Sequence, residues 1–204
     1  MKIDVLSVGA LGTNCYLVSS DNAAIVIDPG DISYTAEKFL NENSDKERLI
    51  LLTHCHFDHI GGALWLREQT GVEIAIGEGD AYALSSPYAN LSENFGLELE
   101  PFYADTVVLD GEELKIGDVT FNVLKTPGHT LGDCCYLCGD TLFSGDILFY
   151  ESIGRTDFPN GNIAKMRNSL SRLLALPDNV KVYPGHGQAT TIGHERRNNP
   201  FIIV

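Results

Sequence analysis

RLILLTHCHFDHIGG, residues 48–62, joins an apolar run to a dense cluster of side chains that bind metals. The run Leu49–Leu52 has the length and the Leu/Ile content typical of a strand that is buried on both faces. Three histidines and one aspartate follow it closely: His54, His56, Asp58 and His59. Histidine and carboxylate side chains are ligands of divalent metals such as zinc. The stretch therefore predicts a metal site at the end of a buried strand.

The spacing within this stretch suggests how the donors are shared. Two side chains two residues apart on an extended segment point the same way, so His54 and His56 can hold one ion. Asp58 and His59 can reach a second ion from the loop that leads into a helix. The Gly61-Gly62 pair lets backbone approach that loop closely. Cys55 is expected to point away from the metals and to pack.

Length and composition describe an ordinary globular protein. The 204 residues, 44% hydrophobic and 21% charged, predict one domain over residues 1–204. No apolar run approaches the roughly 20 residues that a membrane span needs. Asp4 and the segment Gly12-Thr13-Asn14 interrupt the apolar N-terminus, which argues against a signal peptide and favours a cytoplasmic location.

Charge and cysteine content limit the classes of partner and the cellular compartment. The net charge of −14, without a basic stripe, disfavours a nucleic-acid partner and therefore a nuclease. Five cysteines, an odd number, argue against a disulfide framework and fit a reducing compartment. Cys134, Cys135 and Cys138 are expected to be small buried hydrophobes. A small-molecule substrate remains, and the sequence leaves the oligomeric state open.

The pattern along the chain predicts an α/β domain with mixed sheet structure. Apolar or alternating runs bounded by turn residues predict strands at 2–8, 14–19, 23–28, 49–52, 72–76, 105–109, 113–116, 118–124, 134–138, 140–144 and 180–183. Helical periodicity predicts helices at 32–42, 60–69 and 162–176. Ile32 and Ile163 are placed on their inward faces. Residues 78–103 are expected to be irregular or weakly helical, and His194 to lie on the surface of a polar tail.

Three further donors stand where predicted strands end. His129 lies in KTPGHTLG, Asp146 in LFSGD and His186 in YPGHG. Strand ends that each deliver one ligand to a common rim are a usual way to build a site. These residues are therefore candidates for the same metal site as the cluster at 54–59.

In this order, the donors resemble the metallo-β-lactamase superfamily, and more closely its glyoxalase II (hydroxyacylglutathione hydrolase) branch in a short single-domain form. The segments Asn14–Leu17, Val26–Gly30 and Ser152–Asp157 carry the likeness further along the chain. The resemblance implies an αββα sandwich of two mixed sheets flanked by helices, without the C-terminal helical domain of the longer enzymes. It implies a first metal held by His54, His56 and His129, a second held by Asp58, His59 and His186, and Asp146 as the bridge. Asp28 would support the ligands.

The implied activity is hydrolysis of a hydroxyacyl thioester such as S-D-lactoylglutathione. Two divalent ions, zinc before iron or manganese, would hold a bridging hydroxide that attacks the carbonyl carbon. Asp58 would orient this hydroxide and accept its proton. Arg155 is the candidate partner for a substrate carboxylate, because its planar fork suits that group, although a structural arginine is a comparable interpretation.

Alternatives come from the same superfamily and from outside catalysis. A mononuclear iron persulfide dioxygenase would use a subset of these ligands that includes His129 and Asp146. A non-catalytic metal-binding or partner-binding protein is less favoured, because every ligand position is filled. The missing export signal disfavours a β-lactamase, and other hydrolases of the superfamily stay open.

Overall fold

The computed structural model describes residues 1–202, so the last two residues of the predicted domain 1–204 lie outside it. The strands are β1 (Lys2–Val8), β2 (Thr13–Ser19), β3 (Ala23–Ile27), β4 (Glu47–Leu52), β5 (Ile74–Gly77), β6 (Thr106–Val108), β7 (Glu113–Ile116), β8 (Val119–Lys125), β9 (Cys134–Cys138), β10 (Thr141–Gly145), β11 (Leu148–Phe149), β12 (Ser152–Ile153), β13 (Lys181–Pro184) and β14 (Thr190–Thr191). The α-helices are α1 (Tyr34–Glu42), α2 (Phe57–Ile60), α3 (Ala63–Thr70), α4 (Ile163–Leu174) and α5 (Ile192–Asn198). Within residues 1–202, no helix is long and apolar enough to cross a membrane.

Twelve of the fourteen strands in residues 1–202 form two mixed sheets of six strands each, and β11 pairs with β12 in a small antiparallel sheet. The first sheet has the order β1-β2-β3-β4-β5-β6, antiparallel up to β3 and parallel from β3 to β6. The second sheet has the order β14-β13-β10-β9-β8-β7, with β10 and β13 parallel and the other neighbours antiparallel. β3 and the second half of β4 are buried on both faces, as their unbroken apolar sequences predict.

Three apolar layers hold the sheets and helices together. The two sheets face each other across side chains that include Ile25, Ile27, Leu51, Phe121, Tyr136 and Phe143. The other face of the first sheet packs against α1 and α3 through Ala36, Leu40, Leu66, Ile50 and Leu52. The other face of the second sheet packs against α4 and α5 through Met166, Leu170, Leu173, Val182 and Ile192. The predicted αββα sandwich is confirmed.

Two inward placements on helices were wrong for one reason. Ser33 caps α1 by accepting a hydrogen bond from the backbone N–H of Ala36, so the helix begins after Ile32, which is 51% exposed. Asn162 caps α4 in the same way, and Ile163 at its first position is 48% exposed. Periodicity found both helices, but the cap residue sets where their buried faces begin.

The helix predicted at 60–69 is divided at Gly61-Gly62 into α2 and α3. A Cβ atom on Gly62 would lie 2.1 Å from the carbonyl oxygen of Asp31, so the loop after β3 leaves room only for glycine. This confirms the close backbone approach predicted for the pair. Gly71 ends α3 in the left-handed conformation, which glycine adopts without strain.

Sequence patterns missed the shortest elements. β11, β12 and β14 have two residues each, too few for any period to appear. α5 lies in the segment that was predicted to be a polar tail. The region 78–103 is irregular with short 3₁₀ helices at Glu78–Ser85 and Glu93–Phe95, as predicted.

Candidate metal centre

The seven predicted donors meet at one edge of the sandwich. Asp28, His54 and His59 form one group whose ligand atoms all lie within 4.8 Å of one another, and the expected donors form two more: His54, His56 and His129 in one, Asp58, His59 and His186 in the other. Asp146 lies between them, with Oδ2 at 3.6 Å from Nε2 of both His129 and His186. We call the seven predicted donors the donor cluster. The expected grouping and the intermediate place of Asp146 are both present in the geometry.

Strand ends bring the donors together. His54 follows β4 of the first sheet, and Asp58 and His59 lie on the short helix α2. In the second sheet β8, β10 and β13 run in the same direction, so their carboxyl ends share an edge. His129, Asp146 and His186 follow these three strands. The site therefore spans both sheets, and its position depends on their packing.

Glycine makes room for the donors where the backbone passes them. A Cβ atom on Gly185 would lie 2.2 Å from Oδ1 of Asp146 and 2.6 Å from Cε1 of His59. No other residue fits at this position without moving those ligand side chains. Close packing against Asp146 and His59 therefore explains the glycine in the Pro-Gly-His turn of His186.

The donor cluster fits divalent ions. Nε2 of His54 and Nε2 of His56 are buried and have no hydrogen-bond partner within residues 1–202. Buried polar atoms without a partner are rare in proteins and need an explanation. Imidazole nitrogens and carboxylate oxygens in this combination suit zinc, iron or manganese. A metal ion accounts for the cluster better than internal hydrogen bonding does.

Asp28 orients two of the histidines. Its Oδ2 lies 2.9 Å from Nδ1 of His59 and accepts a 2.6 Å hydrogen bond from the Thr53 hydroxyl. That hydroxyl is also 3.0 Å from Nδ1 of His54. Because a carboxylate only accepts, Nδ1 of His59 carries the proton and Nε2 is left with a free lone pair toward the cluster. Asp28 contacts the ligands as a supporting residue would.

The segment Ser152–Asp157 supports a third histidine. The backbone carbonyl of Arg155 lies 2.8 Å from Nδ1 of His129, so this nitrogen is the donor and Nε2 faces the cluster. A Cβ atom on Gly154 would lie 1.7 Å from the carbonyl oxygen of Asp146. The segment is thus pressed against two donors.

β2 holds the opposite side of the cluster, which sequence reasoning missed. The buried Thr13 donates a 3.0 Å hydrogen bond to Oδ2 of Asp58. Asn14 donates from its backbone N–H to the carbonyl of Gly185 and from its side chain to that of Pro184. The similarity of the segment Asn14–Leu17 to the family was the available signal, but it did not reveal these contacts.

Asp80 was also missed. Its buried carboxylate accepts hydrogen bonds from the N–H of Cys55 at 3.0 Å, the hydroxyl of Thr130 at 2.7 Å and the N–H of Gly132 at 2.7 Å. It therefore ties the loop of His54 and His56 to the loop of His129. Burial raises the pKa of Asp80, and burial together with the charge of Asp80 raises the pKa of Asp133.

Local charges favour the ligand forms of Asp58 and His54, whereas at His59 burial is outweighed by the carboxylates of Asp58, Asp146 and Asp28, which raise the pKa. Burial raises the pKa of Asp58, but the charge of His59 and the hydrogen bonds from His186 and Thr13 outweigh it and hold the pKa well below its usual value. Burial, reinforced by the neighbouring histidines, lowers the pKa of His54. A carboxylate and a neutral imidazole are the forms that coordinate metals.

The donor cluster opens into a cavity of about 420 Å³. Beside five of the donors and Arg155, the cavity is lined by a set that we call the apolar wall: Leu11, Phe57, Leu91, Phe95, Phe149, Ile153 and Phe158. The Arg155 guanidinium binds Asp157 through Nε at 2.9 Å and Nη2 at 2.8 Å and lies 4.1 Å from the centre of the Phe158 ring. Arg155 thus lines the cavity, and its binding of a substrate carboxylate stays a prediction.

The remaining cysteine and histidine predictions have mixed outcomes. Cys55 is buried outside the donor groups, and Cys134 and Cys135 are buried on opposite faces of β9, as expected. Cys138 is only partly buried. His194 is 33% exposed, as a surface position would be, but it lies on α5 and not in a tail, stacks on Tyr150 and has Nε2 2.9 Å from Glu151.

Comparison with known proteins agrees with the fold and shows the family. A family profile described as the metallo-beta-lactamase superfamily matches residues 8–186. The chain belongs to the metallo-β-lactamase superfamily. The resemblance predicted from the sequence is therefore confirmed.

Relatives in this superfamily match the chain over nearly its whole length. Hydroxyacylglutathione hydrolase GloC of Haemophilus influenzae is 38% identical, with 99% of this chain and 98% of that protein covered. The crystal structure of the BLEG-1 B3 metallo-beta-lactamase superposes with a TM-score of 0.91 at 34% identity, covering 100% of both chains. The structure of TTHA1623 in a di-iron-bound form has a TM-score of 0.85 at 34% identity and covers 97% of this chain and 99% of that one.

Proposed function

We propose that this metallo-β-lactamase superfamily protein is a metal-dependent hydrolase that cleaves thioesters of hydroxy acids, with S-D-lactoylglutathione as the reference substrate. The observation that carries the proposal is the convergence of seven donors, five of which line an open cavity. The similarity to a hydroxyacylglutathione hydrolase over nearly the whole chain supports the thioester.

In this proposal the donor cluster holds two divalent ions, zinc before iron or manganese. His54, His56 and His129 would hold one ion and Asp58, His59 and His186 the other, with Asp146 placed between the two groups. When bound, such ions polarise a carbonyl group and lower the pKa of water to near neutrality. The supporting contacts of Asp28, Thr53 and Arg155 keep the lone pairs of the histidines directed inward.

Asp58 is the proposed catalytic residue. Its low pKa keeps it ionised at neutral pH, and the Thr13 hydroxyl fixes one of its oxygens. An ionised carboxylate that lines the cavity can orient a water molecule and accept its proton. A thioester matches this arrangement, because a thiol has a pKa of about 8.5 and leaves as thiolate with little need for a general acid.

Hydrolysis of S-D-lactoylglutathione by protein of known metal content tests the proposal. The Asp58→Asn variant should retain the shape of the site and lose most of the turnover, whereas Asp45→Asn, at an exposed carboxylate, should match the wild type. Metal-loaded protein that hydrolyses no faster than Asp58→Asn would refute the thioesterase.

An iron persulfide dioxygenase is the second candidate. The similar TTHA1623 binds iron, which supports the metal of this candidate, although that structure holds two irons and the dioxygenase would hold one. It would use a subset of the donors that includes His129 and Asp146. Oxygen consumption with glutathione persulfide, measured on iron-loaded protein, separates it from the hydrolase.

We also propose that the partner is a small molecule and neither nucleic acid nor a membrane, in view of the net charge of −14. A cytoplasmic location is proposed on the cysteine content, and the five thiols are free.

A further inference from the structure

The apolar wall gives the proposed active site an unusually selective boundary. Apart from the donors, seven of the eight residues that line the cavity are apolar, four of them phenylalanines. The wall reaches the donors directly. The ring of Phe158 lies 5.8 Å from that of His56 and 6.3 Å from that of His129, and the ring of Phe149 lies 6.2 Å from that of His186.

A substrate that reacts at the donor cluster must therefore lie against these side chains. The aromatic groups stand beside both donor groups, so neither end of a thioester can avoid them by changing its orientation. Burying apolar surface against them is favourable by about 25 cal/mol per Å². A carboxylate placed against the same surface loses its water without gaining a partner.

Side-chain cations that could compensate such a carboxylate away from the donor cluster are scarce. Within residues 1–202, Arg155 is the one lysine or arginine that lines the cavity. Its Nε and Nη2 atoms already bind both carboxylate oxygens of Asp157, and its guanidinium covers Phe158. An anionic thiol carrier such as glutathione must displace Asp157 to gain this contact, and the net charge of −14 opposes its approach.

We infer that the apolar wall selects thioesters that carry an apolar chain or ring, and that a charged thiol carrier contributes little to recognition. This inference rests on the proposed thioesterase and specifies its substrate class. The apolar group can belong to the acyl part or to the thiol, and the experiment separates these sources.

The test uses four thioesters that combine an acetyl or phenylacetyl group with N-acetylcysteamine or glutathione, and a fifth, S-benzyl thioacetate, with an apolar alkanethiol as leaving group. We expect kcat/KM to rise roughly tenfold from acetyl to phenylacetyl on the neutral carrier, or by a similar factor for the apolar thiol. Replacing the neutral carrier by glutathione should change kcat/KM little. Equal rates for all acyl and thiol groups, or a tenfold preference for glutathione, would overturn the inference.

Substitutions in the apolar wall test whether the wall causes the preference for apolar substrates. Phe158→Asn should lower the advantage of the apolar substrates at least about threefold, and Phe158→Leu should restore most of it. Tyr103→Ala, which removes an exposed aromatic side chain outside the cavity, is the matched control. An advantage that survives Phe158→Asn together with Phe95→Asn would overturn the inference.

A binding measurement keeps the two proposals distinguishable. Isothermal titration calorimetry with the non-hydrolysable thioethers S-phenethyl-N-acetylcysteamine and S-ethyl-N-acetylcysteamine should show tighter binding and a more negative heat-capacity change for the first. If no thioester is hydrolysed but this difference is found, the hydrolase fails and the apolar selection stands. If thioesters are hydrolysed and the two thioethers bind equally, the selection fails alone.

Discussion

The donor cluster and the apolar wall border the same cavity but are built in opposite ways. His54 and His59 are fully buried, and the ring nitrogens that face away from the cluster are held by Thr53 and Asp28. In the wall, Leu11 and Phe95 are each 50% exposed, and the side chains come from loops and short elements. A fixed cluster suits chemistry that tolerates little displacement, and a half-exposed wall suits recognition that can adapt.

The largest predicted effect comes from removing the donor shared by both groups. Asp146→Ala should lower the metal content and reduce kcat on the order of a thousandfold, because Asp146 contacts donors of both groups. Metal analysis by inductively coupled plasma mass spectrometry, with a thioester assay, measures both. Wild-type metal content in Asp146→Ala would contradict the assignment, and Asp45→Asn is the control.

A smaller effect on metal binding is expected from Asp28, which contacts the donor His59 but is not a donor itself. Asp28→Asn should weaken metal binding roughly 10- to 100-fold, because the charge that orients His59 is lost. Asp28 has φ of 52°, a left-handed conformation that asparagine tolerates, so this variant changes the charge and spares the backbone. Competition with a chelator measures the affinity. Unchanged affinity would mean that the cluster does not depend on this support.

Substitution of Asp80 tests whether its hydrogen bonds hold together the two loops that carry His54, His56 and His129. Asp80→Ala leaves the N–H groups of Cys55 and Gly132 and the Thr130 hydroxyl without their acceptor. We expect the free energy of unfolding to fall by about 1–3 kcal/mol, measured by urea denaturation of the metal-free protein. A change below about 0.5 kcal/mol would show that the two loops are held by other contacts.

The smallest effect is predicted at Arg155, which belongs to both regions. Its backbone carbonyl holds His129, and its exposed side chain lines the cavity. Arg155→Gln keeps the backbone contact, so kcat should be unchanged and KM for S-D-lactoylglutathione should rise only about threefold, as for an exposed ion pair. A tenfold loss of kcat would place the guanidinium in the reaction itself.

The difference between the donor cluster and the apolar wall also explains how much of the molecule could be predicted from the sequence. The donors were found because His54, His56, Asp58 and His59 lie within six residues and the others follow strand ends. Residue type and spacing alone therefore predicted that they bind metal. The αββα architecture was implied by the resemblance, whereas the strand pattern alone indicated only a mixed α/β domain.

The wall and the supporting contacts could not be predicted. The wall is assembled from distant segments, including the loop at Leu11, the irregular region that holds Phe95, and the loop of Phe158. None of these has a period, and an isolated phenylalanine in a loop gives no signal of its role. Thr13 and Asp80 act through hydrogen bonds across 45 and 25–52 residues of sequence, which spacing does not reveal.

The most direct test of hydrolysis at a two-metal site is a titration of metal-free protein with zinc. Bound zinc per chain and the rate of S-D-lactoylglutathione hydrolysis are measured at each step, beside Asp58→Asn. The rate should rise as the second ion binds and stay near background in the variant. No hydrolysis at full zinc occupancy, together with oxygen uptake on a persulfide by the iron-loaded protein, would contradict the hydrolase and establish the oxygenase in its place.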